Sequence, residues 1–163
     1  MGIYLNPGNE QFAASVNSEL YVDKTELIKY TNSRIGKDRP LICSSRPRRF
    51  GKTMAVTMLA AYYSKGCHSE KLFAGLKISQ NEFFKVHLNK YNVIFLDIQW
   101  MYGIALEEMK RNSTLEVVSY IQEQVIAELR EEYSEYVQGD DISLPSVLAK
   151  INVMTKEQFI III

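Results

Sequence analysis

Residues 41–53, LICSSRPRRFGKT, run from a short apolar stretch into a basic loop that closes on Gly51-Lys52-Thr53. These residue types suit phosphate. In the pattern G-x-x-x-x-G-K-[ST], backbone N–H groups of a turn cradle phosphate oxygens at the positive end of the following helix. Lys52 would reach the β/γ-phosphates and the Thr53 hydroxyl would hold Mg²⁺, so ATP with Mg²⁺ is the implied ligand. The match departs from the pattern at one point: the first glycine's place, five residues before Gly51, is occupied by Arg46, followed by Pro47. Gly-Lys-Ser/Thr alone would arise by chance in roughly one chain in ten of this length, so the flanking elements decide. The plainer alternative is a solvated basic turn in which Arg46, Arg48, Arg49 and Lys52 face water. Helix starts favour acids over cations, however, and a cationic start wants an anion.

Those flanking elements read in the required order. Leu41, Ile42 and Cys43 after Pro40 suit a buried strand, too short for a helix and bounded by turn signals. Residues 54–64 are rich in Ala, Met and Leu, lack Gly and Pro, and predict a helix that stops at Gly66, a residue suited to the left-handed C′ position. Strand, loop and helix then place the Gly-Lys-Thr turn at a helix N-terminus.

Together with IYLNPGN, YVDKTELI, MLAAYYSKGC and YNVIFLDIQ, the SRPRRFGKT loop resembles the bacterial AAA-ATPase-like family over nearly the whole chain. The family comprises predicted P-loop ATPases that often carry a C-terminal PD-(D/E)xK nuclease-like domain. The resemblance implies that RPRRFGKT is the Walker A element and that the missing first glycine is a family trait. It further implies that Gly51, Lys52 and Thr53 form the nucleotide site, with Pro47, Arg48, Arg49 and Phe50 forming the loop. It assigns Arg46, Arg48 and Arg49 no individual role. The arginine pair is also similar to the loop of archaeal-type and signal-transducing ATPases.

Residues 159–163, FIIII, predict a buried strand fit for a parallel sheet. In the family, such a run leads into the Walker B acids, which hold Mg²⁺ and polarise the attacking water. The resemblance therefore implies a chain cut just before its catalytic carboxylates, with ATP hydrolysis expected of the full-length protein. A natural terminal strand is the alternative. Asp97, after the apolar residues 93–96, is a rival Walker B acid. The preferred reading makes residues 93–99 the inserted strand of an additional-strand ATPase and leaves Asp97 as a strand-end residue. The fold class is then α/β and P-loop NTPase-like, a largely parallel sheet flanked by helices and incomplete at the C-terminus. A strand between the P-loop strand and residues 159–163 would belong to missing sequence, and exposed sheet edges predict self-association.

Composition bounds the rest. A chain of 163 residues that is 47% hydrophobic can bury one core, so residues 1–163 read as the N-terminal part of one domain. Equal counts of 19 basic and 19 acidic residues exclude a globally charged nucleic-acid or membrane binder. A basic loop that binds nucleic-acid phosphate without turnover remains the alternative function. Cys43 and Cys67 lack metal-ligand spacing, and no secretory signal or membrane-span length is seen, which suits a cytoplasmic protein. Asp23 reads as the N-cap of a helix over residues 24–31 with Glu26 completing a capping box, after a short strand at 20–22; the segment could instead line the adenine or ribose pocket. Residues 114–135 predict an amphipathic helix with Leu115, Val118, Val125, Leu129 and Tyr133 near one face, and Ser143-Leu144-Pro145 starts another. His68 and His87 read as isolated, and the scattered tyrosines as core packing.

Overall fold

The computed structural model describes residues 2–38, 40–45, 47, 50–107, 113–139 and 141–163. It divides into two compact units, residues 8–90 on one side and residues 1–7 with 91–163 on the other.

The unit of residues 8–90 is helical. It holds α1 (Glu10–Val16), α2 (Glu26–Asn32), α3 (Lys52–Tyr63), α4 (Glu70–Phe73), a 3-10 turn (Lys77–Gln80) and α5 (Phe84–His87). Helix α3 forms where the Ala- and Met-rich stretch predicts one, and it buries Met58, Ala60, Ala61, Tyr62 and Tyr63. Its C-terminal aromatics organise the unit. The Phe12 and Phe73 rings stack at 5.0 Å, while Tyr62 meets Phe73 edge-on at 5.6 Å and lies 5.9 Å from Phe84. Such pairs contribute about 0.5–1.5 kcal/mol each beyond their buried area. The phenol oxygens are satisfied too: Tyr62 donates to the Phe84 carbonyl at 2.7 Å and Tyr63 to Asn32 Oδ1 at 2.7 Å. Core packing thus accounts for these tyrosines.

The end of α3 differs from the expected glycine stop. Ser64 turns to extended backbone, and Gly66 is absent from the glycines with positive φ. The final carbonyls are instead gathered by Asn89, itself left-handed at φ 53°. Its Nδ2 donates to the carbonyls of Ala61, Tyr62 and Ser64 at 3.0, 3.3 and 2.9 Å, and its backbone N–H donates to Tyr62 O at 2.7 Å. A remote amide side chain therefore caps the carbonyls that a helix end leaves without partners.

In the other unit, β1 (Asn92–Phe95) is followed by α6 (Ile98–Glu107), α7 (Thr114–Glu132), α8 (Leu144–Thr155) and β2 (Phe159–Ile162). The strands pair in parallel, with Asn92 opposite Phe159 and Phe95 opposite Ile162. Parallel neighbours need a long crossover, which the helices between them supply. The other edge of β1 carries an antiparallel bridge from Leu5 to Ile94. That N-terminal segment is held by the Glu128 carboxylate, which accepts from the backbone N–H groups of Ile3, Tyr4 and Leu5 at 2.8, 3.0 and 2.6 Å. Leu5, Ile94, Met101, Val125, Leu129 and Ile151 form the centre of this unit's core.

A polar brace closes the strand start. Asn6 donates to Asn92 Oδ1 at 3.0 Å, Asn92 Nδ2 donates to Glu157 at 2.6 Å, and the Tyr133 hydroxyl donates to the same Glu157 oxygen. Burial first, then the hydrogen bond to Glu157 and its charge, push the Tyr133 phenol far above its ordinary range, so it stays a donor.

Several expectations need correction. Residues 41–43 form no strand: Leu41 is 93% exposed, and the described strands pair only with each other and the Leu5 bridge. A strand is stable only when its N–H and C=O groups find a ladder, and apolar composition alone supplies none. Leu20 and Val22 are likewise exposed and outside any strand. On α7, Val125, Leu129 and Tyr133 are buried as expected, but Leu115 and Val118 are exposed. Val117 and Tyr120 are buried in their place and pack with Ala105 of α6. Starting at Ser143, α8 carries Pro145 in its first turn as the sequence predicts.

Candidate functional site

The turn that opens α3 is built from a backbone conformation as much as from side chains. Gly51 occupies the N-cap position in the left-handed region, φ 73° and ψ 34°, which glycine adopts without steric cost. The first helical bond runs from Ala55 N to Gly51 O at 3.1 Å. Gly51 brings no side chain to cap this end, and no acid stands in its first turn. The leading amides of a helix have no acceptor within it, so this terminus offers N–H donors and a positive dipole to a ligand.

Of the residues expected at the site, Lys52 and Thr53 are the first two residues of α3 and both are exposed. Pro47 and Phe50 are exposed in the preceding segment. Arg46, Arg48 and Arg49 lie outside the described residues. Gly51, Lys52 and Thr53 are thus brought together with backbone donors, side-chain cation and hydroxyl at one end of one helix. That donor set fits a polyphosphate: Lys52 and the amides would hold its oxygens, and Thr53 would hold Mg²⁺. No group of three or more potential metal ligands from His, Cys, Asp or Glu occurs among the described residues.

Asp23 is not the cap of α2. The N-cap is Thr25, without a side-chain capping bond, and the Asp23–Glu26 capping box is absent. Asp23 Oδ1 instead accepts from Thr25 N at 2.8 Å and Thr25 Oγ1 at 2.6 Å, while Oδ2 accepts from Lys77 N at 2.8 Å. Thr25, fully buried, also accepts from Ile78 N at 3.1 Å. Residues 23–25 are therefore tied to the 3-10 turn. Burial alone would raise the Asp23 carboxyl, but the hydrogen bonds from Thr25 and Lys77 and the nearby Lys77 charge outweigh it and hold the group below the ordinary carboxylate range.

Between those anchors, Lys24 reaches the candidate site. Its Nζ donates to the Phe50 carbonyl at 3.1 Å and lies 2.9 Å from where a Cβ on Gly51 would stand. Asp97, the rival metal acid, caps α6: its Oδ1 accepts from Trp100 N at 3.0 Å and its carbonyl accepts from Met101 N at 3.0 Å. An open groove beside it, lined by Asp97, Trp100, Gly103 and Glu107, presents carboxylates and suits no anion. Cys43 is exposed and Cys67 buried, neither in a disulfide, and burial chiefly raises the Cys67 thiol. Burial lowers His87, which favours its neutral form.

The sequence pattern of the AAA-ATPase-like family, described as predicted AAA-ATPases, matches residues 8–163. The chain belongs to this family. No curated protein matches it, and no solved structure does. Among the described residues, no helix is long and apolar enough to cross a membrane.

Proposed function

We propose that this chain binds ATP·Mg²⁺ at the turn opening α3, through a variant Walker A loop of Pro47, Arg48, Arg49, Phe50, Gly51, Lys52 and Thr53. The carrying observation is the helix terminus itself, with a left-handed glycine, Gly51, at the N-cap, no first-turn acid, and Lys52 and Thr53 exposed. Membership of a family of predicted AAA-ATPases supports ATP as the ligand of that terminus. The backbone amides and Lys52 neutralise phosphate charge, and Thr53 orients the metal, whose own charge would further stabilise the bound polyphosphate.

Residues 1–163 then form the N-terminal part of one P-loop domain of a cytoplasmic ATPase. Direct parallel pairing of β1 with β2 supports the reading in which β1 is the inserted strand and β2 the strand leading to the Walker B acids. Hydrolysis would belong to the protein that contains those acids. Under this reading Asp97 serves α6 as its cap and not the metal.

Titration with Mg·ATP and with single-stranded DNA, each at low and high salt, tests the assignment. An ATP pocket should keep most of its affinity as salt rises and should require Mg²⁺ for full affinity. Steeply salt-dependent DNA binding without ATP binding would favour the basic loop as a nucleic-acid contact.

A further inference from the structure

Lys24 precedes Phe50 by 26 residues and belongs to no phosphate-binding pattern, yet its ammonium contacts the peptide unit at the centre of the candidate site. That contact is built from the stem upward. Its two neighbours in sequence are both fixed: Asp23 binds Thr25 and Lys77, and Thr25 binds Ile78 from a fully buried position. The backbone that carries Lys24 therefore has little freedom, so holding its ammonium at one place costs the rotamer freedom of the side chain but no further ordering of the backbone.

The atom it holds matters. Phe50 C=O and Gly51 N–H belong to one peptide unit, and a trans peptide is planar with the two groups pointing in opposite directions. A donor fixed on the oxygen fixes the direction of the N–H. It also polarises the unit, which strengthens that N–H as a donor. The same ammonium lies 2.9 Å from where a Gly51 Cβ would stand, so a side chain there would displace it.

We propose that Lys24 is a positioning residue for the phosphate loop: it holds the Phe50 carbonyl, and thereby aims the Gly51 N–H at the phosphate. This rests on the nucleotide reading for its purpose but not for its geometry.

The test uses Lys24→Met, which keeps the aliphatic stem without the charge, and Lys24→Arg, which restores a cationic donor. Circular dichroism establishes that each variant is folded. The Gly51 amide resonance, recorded by NMR without nucleotide, should shift and broaden in Lys24→Met and return towards wild type in Lys24→Arg. The dissociation constant for Mg·ATP should rise about tenfold in Lys24→Met, as for loss of a charge-assisted hydrogen bond, and recover in Lys24→Arg. A Gly51 resonance unchanged in Lys24→Met overturns the proposal, as does equal ATP affinity of that variant and a binding-competent wild type. If wild type binds no nucleotide while the Gly51 resonance still moves and is restored, the positioning role stands and the nucleotide reading falls.

Discussion

Asp23 carries opposing influences at a single carboxylate. Burial disfavours its charge, whereas the donors from Thr25 and Lys77 favour it and prevail. Because the folded-state pKa lies below the unfolded one, the stabilisation is present above the ordinary carboxylate pKa and is lost as pH falls through the lowered value. Asp23→Asn, which sets an amide donor or a weaker acceptor against the Lys77 N–H, should lower the urea midpoint by more at about pH 7 than at about pH 3. An equal deficit at both pH values would show that charge is not what Asp23 supplies. The sequence shows a helix-capping residue type at this position, and the structure uses the same acceptor chemistry for a different partner. Capping depends on residues one turn away and is legible locally. A bond to Lys77, 54 residues on, is not. The same contrast holds at the site: Gly51, Lys52 and Thr53 announce themselves by adjacency, while Lys24 is visible only once the chain has folded back on Phe50.

Helices were more legible than strands because their bonds are internal. The Ala- and Met-rich stretch of α3, the proline start of α8 and the core-facing Val125 and Leu129 of α7 each follow from local pattern. Residues 41–43 have strand composition without a ladder, since pairing is decided by another segment. The buried stripe of α7 also departs from a straight extrapolation, passing through Val117 and Tyr120 to meet α6. The end of α3 depends on Asn89, which no periodicity marks. Asn89→Gly tolerates the positive φ and removes the side chain, and with it both the carbonyl cap and the bond that Oδ1 accepts from Ser69 N at 2.9 Å. It should lower stability by about 2–3 kcal/mol, or roughly 5–10 °C in melting temperature for a domain of this size. A melting temperature within about 1 °C of wild type would mean that water serves those carbonyls as well.

At the scale of the molecule, the sheet is short. The N-terminal bridge covers one side of β1 and β2 covers the other, while the described residues place no strand on the far edge of β2. Ile161 is 49% exposed on that strand, and an apolar β-branched edge is a template for pairing. We therefore predict concentration-dependent self-association, relieved by Ile161→Lys. Sedimentation velocity over a dilution series would read it, and a monomer at every concentration would refute it. The parallel pairing was foreseeable because the β-branched run of β2 and the apolar run of β1 are separated by enough helix for a crossover. The sequence carries no linker to announce the partition into two compact units, but the charge balance changes across residue 90, from 14 basic and 7 acidic residues over 1–90 to 5 basic and 12 acidic over 91–163.

The central claim is that the Gly51-Lys52-Thr53 turn binds a nucleotide. It is tested most directly by calorimetric titration of wild type and Lys52→Ala with Mg·ATP. The account predicts saturable one-site binding by wild type, weakened at least tenfold in a variant that remains folded. Equal binding by the two proteins would contradict it, as would a folded wild type that takes up no heat with ATP or ADP.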